Sequence, residues 1–436
     1  MVKKALNIVF SGVVSNPVFI AALVLSFLFY SGIFKLKDRN LFSCLLKTED
    51  ILYVEGELFS SPVKSSSSNN YSALFSVKNA YSKSRIKSSA KGNITVFIPE
   101  SFVEAYFPGK TFTKLNKKSL SKNKDEYFLF EKNFPFKLKV RLFNSEKNFF
   151  KVIDATPLSI KKDFFSNIYV FRGLCRLQFK RLMYGFGDAG GLLLSLLSGS
   201  REYTDKSVAE GFKNSGLSHI LALSGMHLSL FGSIAFFFGN KFTRRSRADF
   251  FEMCAIIFFI WFAGLSPSLL RAFLSSLILF VSSILKMKRF EGLSVLSLSF
   301  LIHLILRPED LTSASFMLSY GALCGIMTIG KFTKFFVSKR IFPVLSSPLS
   351  DSFGAQLFTA PITISLFSKV MPIGIIASVA VSPIVTVFLY TGLIGTVLSL
   401  LVPFLSGLFN VIINSIYFVI INLVMFFSKF PFLDFS

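Results

Sequence analysis

The chain has 436 residues, 52% of them hydrophobic, 16% aromatic and only 17% charged, and a mean hydropathy of +0.58. Such a make-up excludes a simple soluble domain and implies a polytopic α-helical membrane protein. Lys and Arg number 48 against 24 Asp and Glu, a formal charge of +24, which combines ordinary orientation charge with an excess open to two explanations, a polyanionic partner or compositional bias.

In chain order, residues 1–16 are a short basic lead-in carrying Lys3 and Lys4, and 17–34 (PVFIAALVLSFLFYSGIF) are a first membrane helix. A cleaved signal peptide has a shorter core and a small-x-small site, so a retained helix is expected. Residues 51–160 are polar and carry 18 basic against 9 acidic side chains. A basic module of this kind attracts a polyanion, either lipid surface or nucleic acid. Within it, 52–58, 71–78, 92–98, 126–130 and 148–154 read as strands rich in Val, Ile, Phe and Tyr and punctuated by Gly, Asn and Pro. Five or six short strands predict a small β-barrel or sandwich, with the lysine-rich 110–124 as a loop.

Residues 168–184 place Arg172, Arg176 and Lys180 four apart. This spacing predicts a helix with one basic stripe and an opposing apolar face of Val170, Phe171, Leu174 and Leu177, suited to a membrane surface or to a plain connector. The stretch 189–199 is too short to span a bilayer and reads as interfacial or re-entrant. Membrane helices are then expected near 217–238, 250–267, 269–285, 291–306, 312–330, 350–368, 371–387, 389–404 and 409–428. Basic clusters at Lys241, Arg244, Arg245 and Arg247, at Lys286, Lys288 and Arg289, and at Lys331, Lys334, Lys339 and Arg340 fall on one side of this map. The positive-inside rule puts that side and the N-terminus in the cytoplasm, and the β domain outside.

Polar residues inside the apolar part carry the functional question. In SGLSHILALSGMH (215–227), a continuous helix sets His219 and His227 roughly 80° apart, with Ser218 and Ser224 nearby and with Gly216 and Gly225 permitting close approach or a break. Either this ring is helix-to-helix glue, or it faces a hydrated interior. Arg271, near the start of the 269–285 helix, either snorkels to the outer interface or faces inward as an anion ligand, with Ser266 and Ser268 beside it. Pro361 and Pro383 mark kinks or broken helices. The four cysteines, Cys44, Cys175, Cys254 and Cys324, show no metal spacing, although Cys44 and Cys175 could pair. Asp205 and Glu210 lie close to His219, but no H-E-x-x-H or paired-carboxylate pattern supports a metal, and no G-x-S-G arrangement supports a serine hydrolase.

These residues fall into a recognisable order. The run from Gly199 through Asp205, Phe212, Gly216, His219, Leu221, Ala222, Ser224 and Gly225 to His227 resembles the signature of the ComEC-type competence proteins, G-D-x-S followed by G-x-x-H-L-L-A-I-S-G-L-H. GLSPSLLRA (264–272), RPEDLTSASFMLSY (307–320) and LFTAPITISLF (357–367) resemble later family motifs in order. Met317 stands where glutamine is usual, and Ser378 where asparagine is usual. ILYVEGELFSSPV (51–63), GNITVFIP and the FPG turn resemble the family's extracytoplasmic oligonucleotide-binding-type domain.

The resemblance implies four regions: a cytoplasmic lead-in and first helix (1–34), an extracytoplasmic oligonucleotide-binding-like β domain (50–165), amphipathic and interfacial helices (166–200) and a transmembrane channel domain (201–430). It implies a channel passing single-stranded DNA across the cytoplasmic membrane during natural transformation. The alternative is a small-solute transporter or a divergent paralogue without a DNA role. On this reading Gly216, His219, Ser224, Gly225, His227, Ser268 and Arg271 line the DNA path, while Lys114, Lys117, Lys118, Arg172, Arg176 and Lys180 collect the strand. Expected partners are single-stranded DNA, membrane lipid, a DNA receptor protein, a cytoplasmic translocation ATPase and a separate nuclease. The family's C-terminal metallo-β-lactamase-like domain would show H-x-H-x-D-H. This sequence runs to PFLDFS without that motif, so no enzymatic site, metal or cofactor is expected.

Overall fold

The computed structural model describes residues 16–31, 42–64, 70–84, 86–103, 135–144, 148–158, 164–242, 245–287, 290–339 and 342–434. They fall in two compact units: Met1–Lys37, Val208–Thr391 and Ser415–Ser436 form one, and Asp38–Ser207 with Gly392–Asn414 the other.

The second unit holds the β domain. Its strands are β1 (Ser43–Cys44), β2 (Ile51–Leu58), β3 (Val63–Lys64), β4 (Asn70–Ser82), β5 (Lys87–Lys91), β6 (Asn93–Pro99), β7 (Pro135–Asn144) and β8 (Phe149–Pro157). β2, β4, β6, β8 and β7 close a ring, because β4 pairs with both β2 and β6 while β7 joins β2 to β8. The β6–β8 contact is the ring's parallel pairing. This closed five-stranded barrel has an oligonucleotide-binding-like architecture.

Period-two alternation builds it. Phe136, Leu138 and Val140 point inward from β7, as Ile94, Val96 and Ile98 do from β6, while Lys137, Lys139 and Arg141 point outward. Phe75, Phe136 and Phe150 are fully buried in the centre, each contributing about 1.5–3 kcal/mol of burial. The expected strands at 52–58, 71–78, 92–98 and 148–154 are found, 126–130 lies outside the described residues, and β7 is an additional strand.

Helix α1 (Pro17–Tyr30) belongs to the first unit. Asn16 caps it by accepting from the Phe19 amide at 3.2 Å and donates to Ser294 Oγ at 2.7 Å, and the Tyr30 hydroxyl donates to the Leu311 carbonyl at 3.0 Å. A segment tied at both ends is a working part of the helical unit. The second unit continues with α2 (Phe164–Gly185) and α3 (Gly187–Ser198). Every residue from Ala189 to Ser198 in α3 is buried, so it is an enclosed core helix.

The chain continues as α4 (Lys206–Asn214), α5 (Ser218–Leu221), α6 (Gly225–Phe242), α7 (Arg245–Ala263), α8 (Pro267–Ile284), α9 (Gly292–Leu306), α10 (Ala314–Gly325), α11 (Lys331–Val337), α12 (Pro343–Phe367), α13 (Gly374–Leu401) and α14 (Ser406–Phe427). A π-turn at Ile326–Gly330 joins α10 to α11. Among the described residues, Pro267–Ile284, Ala314–Val337, Gly374–Leu401 and Ser406–Phe427 are long and apolar enough to cross a membrane.

Two expectations are corrected. The expected 217–238 helix is broken between α5 and α6. The expected pair 371–387 and 389–404 is one 28-residue helix that carries Pro383 inside it. Glycines permit a close helix contact: a Cβ on Gly354 of α12 would stand 2.7 Å from the Gly325 carbonyl oxygen and 2.8 Å from the Gly330 Cα. Leu228, Met253, Ile256, Phe259 and Leu269 join α6, α7 and α8, and Ala22, Leu296, Phe300, Leu311, Phe316 and Tyr320 join α1, α9 and α10. All four cysteines are free thiols, so Cys44 and Cys175 are not paired.

Candidate functional site

The site is built where α4, α5, α6 and α8 approach one another in the first unit. α4 stops at Gly216, whose φ of +75° is left-handed. The Leu217 amide donates to the Phe212 carbonyl at 2.8 Å and the Gly216 amide to the Lys213 carbonyl at 3.2 Å, the hydrogen bonds of a Schellman stop. Gly216 thus ends a helix, and a Cβ there would lie 3.0 Å from both Gly374 Cα and Met371 Cβ.

One turn of α5 carries His219, which is exposed, and Ala222 then adopts extended backbone with ψ of 135°. The chain re-enters helix at Gly225. His227 closes this new start: its Nδ1 accepts the Ser224 amide at 3.1 Å and lies 3.2 Å from Ser224 Oγ. This is the N3-to-N-cap half of a capping box, with histidine in place of the usual Glu or Gln. Because Nδ1 accepts a backbone N–H, the neutral ring carries its proton on Nε2. His227 is 1% exposed, and among the described residues its Nε2 has no hydrogen-bond partner.

The first turn of α8 closes the break from the other side. Ser266 caps α8, accepting from the Leu269 amide at 3.4 Å, and Ser268 donates to the Leu223 carbonyl at 2.6 Å. Residues 219–227 and 266–271, separate motifs in the sequence, therefore meet in space. One turn further, Arg271 is 8% exposed, and its Nη2 would stand 2.9 Å from a Cβ on Gly225. Tyr320 of α10 is within its electrostatic reach. Among the described residues, no carboxylate lies within 4.0 Å of Arg271, no hydrogen bond reaches it and its Nε is buried unpaired. Of the expected path residues, Ser224, Gly225, His227, Ser268 and Arg271 are brought together here, while Gly216 and His219 stand on the preceding turn.

The expected collectors are placed differently. Lys114, Lys117 and Lys118 lie outside the described residues. Arg172, Arg176 and Lys180 do share one face of α2, but that face is buried, at 5%, 2% and 4% exposure, while Phe171 on the other side is exposed. The basic stripe is thus buried where an open face was expected, while Leu177 of the predicted apolar face is buried too, at 1%. The cause is a polar loop after α3: Lys180 Nζ pairs with Glu202 Oε1 at 2.5 Å, and Arg176 Nη2 donates to Ser200 Oγ at 2.8 Å and to the Ser198 carbonyl at 3.4 Å. Tyr71 of β4 donates to the Glu202 carbonyl at 3.3 Å, tying the barrel to the same loop. The stripe is a buried face held by an ion pair and by hydrogen bonds to the loop, in place of an open basic face.

A second polar cluster escaped the sequence reading. His303, fully buried in α9, bonds Asp310 Oδ2 through Nε2 at 3.1 Å and the Tyr320 hydroxyl through Nδ1 at 3.3 Å. The acidic turn Glu309–Asp310 immediately after the apolar run was its available signal. No group of three or more His, Cys, Asp or Glu able to hold a metal occurs among the described residues.

Apolar helices of spanning length, a closed barrel and a helix break joined by two polar motifs define a multi-pass membrane protein with an oligonucleotide-binding-like domain. Residues 196–436 match the family described as "Competence: Competence protein", more than half the chain, and the chain belongs to that family. It is 25% identical over 218 residues to ComE operon protein 3 of Bacillus subtilis, covering 49% of this chain and 27% of that one. It is 26% identical over 214 residues to Recombination protein 2 of Haemophilus influenzae, covering 44% and 26%. An uncharacterized protein of Aquifex aeolicus is 29% identical over 239 residues, covering 55% and 54%. The chain thus spans between about a quarter and a half of the length of these curated relatives. No solved structure matches it significantly.

Proposed function

We propose that this protein passes single-stranded DNA across the cytoplasmic membrane, with its N-terminus in the cytoplasm and its barrel on the outer side. The observation that carries this reading is the meeting of residues 219–227 with 266–271 at a helix break inside the membrane unit, in a chain of the competence family. A phosphate cannot enter hydrocarbon without a polar path, and a break whose backbone is capped by side chains supplies polar groups at membrane depth. The barrel gives an outer domain of a kind suited to single strands, which bind by stacking and charge without sequence readout. A DNA receptor, a translocation ATPase and a nuclease are the partners this reading calls for.

The test is uptake of fluorescently labelled single-stranded DNA by cells with and without the gene. DNase-protected label should depend on the gene and return when it is restored. Equal uptake in both strains rejects DNA transport and leaves the small-solute reading.

A further inference from the structure

We propose that Arg271 and the first turn of α6 form a built oxyanion site for a phosphodiester. The argument begins with the buried guanidinium. It carries five N–H donors on a helix long and apolar enough to cross a membrane, and among the described residues it has no carboxylate within 4.0 Å and donates no hydrogen bond. A charged group in that setting draws in a counter-anion, since burial of an unpaired charge is among the costliest arrangements in a protein.

The surroundings favour an anion and no other ligand. α6 is 18 residues long, and its N-terminal end is the positive end of its dipole. The amides of Gly225 and Met226 have no carbonyl a turn ahead of them, because the chain is extended at Ala222. Arg271 Nη2 is directed at this end, 2.9 Å from where a Gly225 Cβ would stand. The missing side chain at Gly225 is what lets the guanidinium pack this close to the helix start. His227, in the same turn, adds a buried Nε2–H with no acceptor. The fork of Arg271 suits the paired oxygens of a phosphodiester.

Two sources carry that chemistry, a DNA backbone and a phospholipid headgroup. The proposal of DNA rests on the transport reading above, whereas the oxyanion site does not. The experiment uses the full chain, delipidated in a phosphate-free maltoside detergent, and measures calorimetric binding of two probes: a short oligothymidylate and dihexanoyl phosphatidylglycerol. Wild type should bind at least one probe. Arg271→Gln should weaken that binding at least tenfold, Gly225→Ala should weaken it as well, and Arg271→Lys should retain part of it.

Without ligand, Arg271→Gln should melt at or above the wild-type temperature, because an unpaired charge has been removed. A large drop would make Arg271 a structural residue and overturn the site. Wild-type affinity for both probes in Arg271→Gln and Gly225→Ala also overturns it, and leaves DNA transport standing if the nucleotide binds. Binding of lipid alone, lost in Arg271→Gln, upholds the site and rejects the DNA reading. Failure of wild type to bind either probe rejects the site outright.

Discussion

His227 does two things that one substitution cannot separate. Its Nδ1 holds the Ser224 amide and so fixes where α6 begins, while its buried Nε2–H remains available. His227→Ala removes both, and loss of a capping side chain costs about 0.5–2 kcal/mol. His227→Gln restores an acceptor at the N3 position, where glutamine is the ordinary capping-box residue. We expect His227→Ala to lower DNA uptake at unchanged membrane abundance, and His227→Gln to recover most of it. Uptake at the wild-type level in His227→Ala would assign the ring to packing alone, and failure of both variants would assign the function to Nε2. The sequence made the histidine visible but not its task, since S-x-x-H is outside the usual Ser-x-x-Glu pattern and the apolar Ile220–Leu223 run carries helical periodicity straight through the break. Gly216 was legible as a place for close approach. Its left-handed φ and the stop of α4 became apparent only from the geometry.

At the level of elements, what could be read depended on whether a segment's partners are local. β2, β4, β6 and β8 were readable because their side chains alternate about a single core, and β7 could have been, since PFKLKVRLF alternates as cleanly as any of them. Helix α2 was correctly periodic, yet its basic stripe is buried and not open, because Glu202, the residue that draws it inward, lies 22 positions beyond Lys180 in a loop with no pattern of its own. Both partners of that pair are nearly sealed from solvent, with side-chain exposures of 5% and 2%. Breaking a buried pair by removing one partner costs about 3–5 kcal/mol. Glu202→Ala should therefore lower the unfolding temperature of the full chain markedly, while Glu57→Ala, which removes the exposed pair with Lys78, should change it little. Similar effects of the two would show the buried pair to be ornamental. Pro383 sits within α13, where neighbouring groups of a membrane bundle compensate a freed carbonyl and the helix continues.

Across the molecule, charge links the barrel's stability to pH and, on the proposed function, its encounter with a strand to salt. On the barrel's outer face Glu55 is partly buried, which raises its pKa. Hydrogen bonds from Tyr81 at 2.8 Å and Asn79 at 3.2 Å, with Lys137 at 3.1 Å, outweigh that and hold it below the ordinary value. Burial and the same carboxylate push Tyr81 up to about 12. A depressed acid contributes stability above its unfolded pKa and loses it as pH falls through the folded value. The raised phenol contributes below its ordinary 10.0 and loses it on the way to about 12. Glu55→Gln should accordingly melt below wild type at pH 7, with the gap closing as the pH drops under about 4, and a gap independent of pH would refute the linkage.

The salt argument concerns Lys114, Lys117 and Lys118, basic residues of the long β6–β7 connection that lies outside the described residues. If they meet the strand, each phosphate they neutralise releases counterion, and for single strands the slope of log affinity against log salt changes by about 0.7 per contact. Replacing all three by glutamine in the full-length protein should then flatten that slope by about 2 and weaken binding most at low salt. The same three changes in a protein that uses the stretch only as a spacer would leave the slope where it was, because removing distant screened charge alters affinity far less than removing phosphate contacts.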